Sequence, residues 1–297
     1  MKLTVTIPIL NCLRYAMPMF GCLKYTTSEE SEWLILDNGS TENVEKYITE
    51  YARPKRLNYV RNEDNPGLIT NNNDALRRCE TELLCLLHND CFIYEKNWDQ
   101  RIISYFEQMP DLGIAGFFGA QGCMPNGGRI QYPSKLGSAG FSNMLEAEIH
   151  GMRMGPDMPW RPAAIFDSFC MVFRVKMLKE CGGFDTRYQY HHFYDRDTGL
   201  ESIRHGYKNI VVNVPCHHGG GYTSETPAYR EWLMKIIGKP VEDLAFHDAN
   251  MAKFTEKWMA IDALPLYVND DFSLRRGRDE FRPDIEYKGD NIMKGLK

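Results

Sequence analysis

Leu83-Leu84-Cys85-Leu86-Leu87 runs directly into His88-Asn89-Asp90. Five apolar residues without alternation describe a strand buried on both faces, as a central strand of a parallel sheet is. The strand then exits into an imidazole, an amide and a carboxylate. In doubly wound sheets, ligands bind at the carboxyl ends of the strands. A hard cation bridging two phosphates takes carboxylate oxygen and few protein ligands. Asp90 is therefore a candidate metal ligand, although an ordinary polar turn accounts for the same three residues.

Working outward, β-rich runs recur at 3–7, 33–36, 57–60 and 112–118, with helix-length segments at about 12–25, 41–51, 67–79 and 97–108. Strand and helix in alternation specify an α/β fold with helices on both faces of a mostly parallel sheet. Ser40-Thr41 caps the second helix, and Asn65-Pro66-Gly67 opens the third. The segment 119–164 is rich in Gly, Pro, Ser and Met and has no period, which predicts a binding insert or lid. Regular pattern resumes at Ile165-Phe166 and Phe169–Phe173, followed by a helix over 175–181 stopped by Gly182-Gly183, a helix over 196–206 and a strand over 209–214. A mostly helical stretch, 227–260, precedes a charged, aperiodic tail. The expected division is a catalytic unit 1–225, made of a nucleotide-binding half 1–118 and an acceptor-binding half 119–225, then a helical extension and tail over 226–297.

The 297 residues are 43% apolar and 12% aromatic, which is ample core material. Thirty-five Lys and Arg face 40 Asp and Glu, a net charge of −5 that lacks the footprint of a nucleic-acid binder. The apolar run at the start is too short for a signal peptide, and no stretch approaches the roughly 18 residues of a membrane span. Nine scattered cysteines without Cys-x-x-Cys read as reduced core residues, so a cytoplasmic location is expected.

Other residues carry chemistry or merely structure. Asp37-Asn38-Gly39-Ser40 follows the second strand, where an Asp can accept from a base or ribose, but Asn-Gly is also a strong turn signal. Asp195-Arg196-Asp197 opens a helix, so Asp195 is either a cap or a general base. His217-His218 precedes three glycines, and neutral imidazole ligates transition metals. Neighbours on a strand point opposite ways, so both rarely ligate one ion. His191-His192 reads as packing.

Taken in order, these pieces resemble the inverting family 2 glycosyltransferases, which have the nucleotide-sugar-binding GT-A fold. The resemblance spans about residues 3–260: Val5-Thr6-Ile7-Pro8 with Asn11, Leu36–Ser40, Arg61-Asn62, Asn65-Pro66-Gly67, Asn73, Leu87–Asp90, Gly182-Gly183-Phe184-Asp185, Tyr194–Asp197, Gly206-Tyr207, His217–Gly221, and Phe254 with Lys257-Trp258. It implies that Pro8 and Asn11 line the nucleotide pocket and that Asp37 contacts the base, usually uracil. Asn65, Gly67, Asn72, His88 and Asn89 complete the donor contacts. Asp90 and His217 or His218 hold Mn²⁺ or Mg²⁺, and Asp195 is the base. Asp167 and Asp197 belong to the acceptor side. Within the insert, Trp160, with Arg161 and Tyr132, either shapes the acceptor site, since aromatic faces stack on sugar rings, or simply packs. Three positions depart from the family pattern. His88 replaces the first Asp of Asp-x-Asp, which removes a two-carboxylate metal site and leaves an imidazole for ribose or pyrophosphate. Asn72 stands where many relatives have Arg, and Tyr194 stands where they have Glu.

The expected reaction is a single displacement with inversion, from a nucleotide sugar (UDP-linked by this resemblance) to a hydroxyl of a glycan or other acceptor. Two alternatives compete. A nucleotidyltransferase would need a basic or Gly-rich loop after the first strand, and residues 8–14 offer only Arg14. A non-catalytic sugar-binding relative is the other, suggested by His88 and Tyr194.

Overall fold

The computed structural model describes residues 1–130, 140–142, 152–154, 157–188, 190–220, 226–238 and 243–276. β1 (Leu3–Ile9) leads into α1 (Leu13–Thr26), and β2 (Glu32–Asp37) into α2 (Val44–Tyr47), which a π-helical turn continues over Ile48–Ala52. β3 (Leu57–Arg61) precedes α3 (Leu68–Arg78), and β4 (Leu83–Leu87) passes through β5 (Cys91–Ile93) into α4 (Trp98–Gln108). β6 (Leu112–Gly116) is followed by seven short strands: β7 (Phe118–Ala120), β8 (Gly122–Cys123), β9 (Arg129–Ile130), β10 (Gly140–Ser142), β11 (Met152–Arg153), β12 (Trp160–Pro162) and β13 (Ile165–Phe166). Then come β14 (Cys170–Arg174), α5 (Val175–Glu180), α6 (Tyr194–Arg204), β15 (Lys208–Val212), β16 (Cys216–His218), α7 (Pro227–Ile237), α8 (Asp243–Met259), β17 (Leu266–Val268) and β18 (Leu274–Arg276).

The main sheet has eight strands in the order β12-β15-β6-β14-β4-β1-β2-β3. β1, β2, β3 and β4 are mutually parallel, as are β6 and β15. β14 runs antiparallel between β4 and β6, and β12 runs antiparallel at the edge. Every residue of β4 is buried, as its unbroken apolar run requires. Its side chains alternate between two cores: Leu83, Cys85 and Leu87 join one with α1 and α4, while Leu84 and Leu86 join the other with α3, α5 and α8.

The described residues of 119–164, expected to be a binding insert or lid, form short strands. β7 anchors a small sheet with β10, β11 and β13, and β8 and β9 join a second one with β17 and β18. Strands of two or three residues are too short to display a period. In the described part of the tail, β17 pairs with β8 and ties the segment after α8 onto the domain. Residues 277–297 of that tail, with Tyr132 and Gly221, lie outside the described residues. All nine cysteines are free thiols. No helix among the described residues is long and apolar enough to cross a membrane.

Candidate active site

The end of β4 turns sharply. The His88 N–H donates to the Phe169 carbonyl at 2.9 Å, and the Cys91 N–H donates to the His88 carbonyl at 3.3 Å, closing the turn that holds Asn89 and Asp90. The chain reverses into β5, which pairs antiparallel with β16 so that His218 lies opposite Cys91 and His217 opposite Phe92. The Gly219 N–H fixes this register by donating to the Asp90 carbonyl at 2.9 Å. Two residues 130 positions apart thereby meet: His88 Nδ1 is 3.4 Å from His218 Nε2. Asp90 Oδ1 is 3.3 Å from His218 Nε2 and 4.0 Å from His88 Nδ1. All three donor atoms lie within 4.8 Å of one another, a group able to hold a metal ion.

This grouping bears on two residues whose roles the sequence left open. His217 is not part of the cluster; on a strand it faces opposite to His218, and its ring packs near Phe92 at 6.1 Å. His88, for which the resemblance left ribose or pyrophosphate contact, lies with Asp90 and His218 in the group that could hold a metal ion. The Phe169 ring stacks on His218 at 4.6 Å and 16°, holding that imidazole in place. Burial, with the adjacent His218, pulls the His88 pKa down to about 4, so its ring is neutral and its lone pair is free for a metal. Burial would also depress His218, but Asp90 beside it outweighs burial and raises it. His88 Nε2 is buried without a hydrogen-bond partner among the described residues.

Asp195 stands in the first turn of α6 and is buried, with one carboxylate oxygen accepting the Arg196 N–H at 2.8 Å. Burial raises its pKa to about 6; Asp167 adds to the rise, and Arg196 and Arg129 oppose it. The Asp167 charge acts on His88, His218 and Asp195 alike. Burial works to raise its own pKa, but Arg129, whose guanidinium is 3.5 Å away, and the two histidines bring it below the ordinary value. Arg129 comes from β9 and lies over the Phe118 ring at 4.5 Å. Nothing in its aperiodic surroundings marked Arg129 as a site residue.

On the donor side, Pro8 is half-buried near the end of β1. The wholly buried Asp37 accepts from the Ser40 N–H at 2.9 Å, from Arg61 at 2.7 Å and from the Tyr59 hydroxyl. Asn11 ties β1 to α2 through Thr41 and Glu42, whose N–H groups reach its Oδ1 at 2.8 and 3.2 Å. Asn65 Oδ1 accepts the Gly67 N–H at 3.0 Å, and Gly67 has φ +85°, a conformation that favours glycine. Asn72 is buried beside the Tyr194 hydroxyl, and its Nδ2 makes no hydrogen bond among the described residues.

Two residues expected on the acceptor side make packing contacts. Trp160 sits on the edge strand β12 and stacks on Phe272 at 5.8 Å. β12 is four strand positions from β4, about 19 Å across the sheet. Asp197, two residues beyond Asp195, faces the other side of the helix. Its carboxylate accepts from Tyr188 at 2.9 Å, Trp258 at 2.8 Å and Lys257 at 2.8 Å, so it anchors α8 and has no exposed face for an acceptor. Conversely, His191, read as packing, lies close enough to His88 for their charges to interact. Its segment is strained, with positive φ at Tyr190, His192 and Phe193, each costing on the order of 1–3 kcal/mol.

A GT-A sheet with a metal-competent cluster at its carboxyl edge and a buried carboxylate nearby defines the sugar-transferring class. Residues 4–182 match the model of glycosyl transferase family 2, and the chain belongs to that family: it is a glycosyltransferase. Three solved structures share the fold. S. aureus TarS 1-349 is 14% identical with a TM-score of 0.52, over 88% of this chain and 72% of that one. GalNAc-T7 with UDP, GalNAc and Mn²⁺ is 15% identical with a TM-score of 0.56, over 88% and 57%. The Pyrobaculum calidifontis mannosyltransferase PcManGT, in complex with GDP-Man and Mn²⁺, is 16% identical with a TM-score of 0.50, over 88% and 75%. No curated protein matches the chain in sequence.

Proposed function

We propose that the chain is a divalent-metal-dependent inverting glycosyltransferase that moves a sugar from a nucleotide diphosphate, UDP-linked, to a hydroxyl of a glycan or other acceptor. The observation that carries this reading is the convergence of His88, Asp90 and His218 at the end of β4, with the Asp167 charge acting on both His88 and Asp195. The nucleotides bound by GalNAc-T7 and PcManGT support the donor class, and the Mn²⁺ in both supports the metal.

Two neutral-capable imidazoles and one carboxylate fit a first-row divalent ion such as Mn²⁺ better than Mg²⁺, which prefers an all-oxygen shell. Three protein donors leave coordination positions for diphosphate oxygens, and the bound ion would neutralise charge on the leaving group. Asn72, with an unused buried amide N–H, and the Asn65–Gly67 bend face the donor as hydrogen-bonding groups. Asp37, held by Arg61 and Tyr59, is the rigid element assigned to the base.

Asp195 is the general base. Its pKa of about 6 keeps it mostly ionised at neutral pH, while its burial makes it a stronger proton acceptor than a solvated Asp. The acceptor oxygen bonds to the anomeric carbon as the bond to the diphosphate oxygen breaks, and the hydroxyl proton passes to Asp195. The binding test is calorimetry of UDP with Mn²⁺, with and without EDTA, followed by UDP release from a panel of UDP sugars. Absence of UDP binding in the presence of Mn²⁺ would sink the donor assignment.

A further inference from the structure

α7 lies outside the span that matches the family model and touches two segments that the reaction needs in register. On one side the Trp232 indole N–H donates to the Asn65 carbonyl at 2.7 Å, and the Lys235 ammonium meets Asp64 at 2.7 Å. Asn65 in turn holds the Gly67 N–H at the bend that starts α3, the helix carrying Asn72. On the other side the Trp232 ring meets Tyr190 edge-on, at 5.5 Å and 87°. The Tyr229 hydroxyl is 3.1 Å from His191 Nδ1, and Asn250 of α8 donates to the His191 carbonyl at 2.8 Å.

Trp232, Leu233 and Phe246 form a core distinct from the two that flank the sheet, with Tyr190 and Tyr229 packed against it. A strained segment persists only where its surroundings over-determine it: this core holds Tyr190, Tyr229 meets His191, and Phe193 packs against Phe254 of α8 just before Asp195. A Trp this buried needs a partner for its N–H, and packing alone would be served by any nearby carbonyl. The N–H is instead committed to the donor-side bend while the ring is committed to the base-side segment. A base must stay within hydrogen-bond reach of its proton donor, and a displacement of 1 Å can cost about 100-fold in rate.

We propose that Trp232 is a positioning residue that couples the Asn65–Gly67 bend to the Tyr190–Asp195 segment, so that occupation of the donor site orders the base. This rests on the nucleotide-sugar reading of that site. The test is hydrogen exchange of residues 188–196 in the full chain, with and without UDP and Mn²⁺, on wild type, Trp232→Phe, Tyr229→Phe and Leu233→Ala. In wild type, UDP with Mn²⁺ slows exchange of the segment. Trp232→Phe keeps an aromatic ring but loses the N–H; UDP affinity falls about 3- to 10-fold, the value of one hydrogen bond, and the UDP-dependent protection disappears. Tyr229→Phe weakens protection without changing UDP affinity. Leu233→Ala lowers the melting temperature but keeps the UDP-dependent protection, which separates coupling from packing. Equal UDP-dependent protection in wild type and Trp232→Phe overturns the inference while leaving the donor assignment intact. Failure of the wild-type chain to bind UDP with Mn²⁺ removes both.

Discussion

Replacing Asp195 by Asn should make the enzyme slower and the fold more stable, and the two effects share one cause. In the folded chain burial lifts this carboxyl from 3.8 to about 6. That displacement corresponds to about 3 kcal/mol, taken as an upper figure. The sign follows from proton counting. Between these two values the folded state binds the proton and the unfolded state has released it, so stability falls as pH rises through the window. Above about pH 6 the folded chain therefore carries the full penalty of a buried charge, and below pH 4 it carries none. Asp195→Asn removes the charge while keeping the shape. The melting temperature should rise by several degrees at pH 7.5, corresponding to up to about 3 kcal/mol, and should be nearly unchanged at pH 4. Turnover should fall about 10²–10⁴-fold, the usual contribution of a general base. The assays are UDP release with donor and acceptor present, and thermal unfolding across pH 4–8. In wild type, turnover should fall on the acid side with a midpoint near pH 6, a limb that Asp195→Asn should lose. Near-native turnover of Asp195→Asn would refute the base assignment. An identical stability gain at pH 4 and pH 7.5 would refute the burial argument.

His88→Ala, Asp90→Ala and His218→Ala should each weaken Mn²⁺ binding by more than the ~10–100-fold that changes around a metal's ligands produce, whereas His217→Ala leaves it unchanged in calorimetry. Mn²⁺ should support more UDP release than Mg²⁺ at equal concentration, because two of the three protein donors are nitrogens; equal activity would count against imidazole ligation. Lys257→Met should strand Asp185, Asp197 and Glu201 around a missing cation. Removing one partner of a buried ion pair costs about 3–5 kcal/mol, to be read by urea unfolding, with UDP affinity retained.

The site was only partly legible before folding. Asp90 was identifiable because an abrupt change from a fully apolar strand to a polar turn is a local signal. Asp195 was identifiable as a base or a cap, and only burial separates those roles by lifting its pKa. The role of His88 was not legible, because one of its contacts, His218, lies 130 positions away. A β-turn and a three-residue strand pairing bring it to His218. The same strand decides between His217 and His218 through its two-residue alternation, once the register of Phe92 and Cys91 is known. Arg129, Tyr229 and Trp232 carried no local signature, since each acts through a contact with a segment distant in sequence.

The chain by itself determined the α/β order, because buried parallel strands must be apolar throughout and the helices between them must be amphipathic or capped. Such requirements act over five to fifteen residues and leave a visible pattern. The antiparallel insertion of β14, the short strands within 119–164, the fastening of the segment after α8 through β17, and the membership of the metal cluster were decided only by tertiary structure. They depend on which strand edges and side chains meet across tens to more than a hundred residues, and that information lies in the packing rather than in any local period.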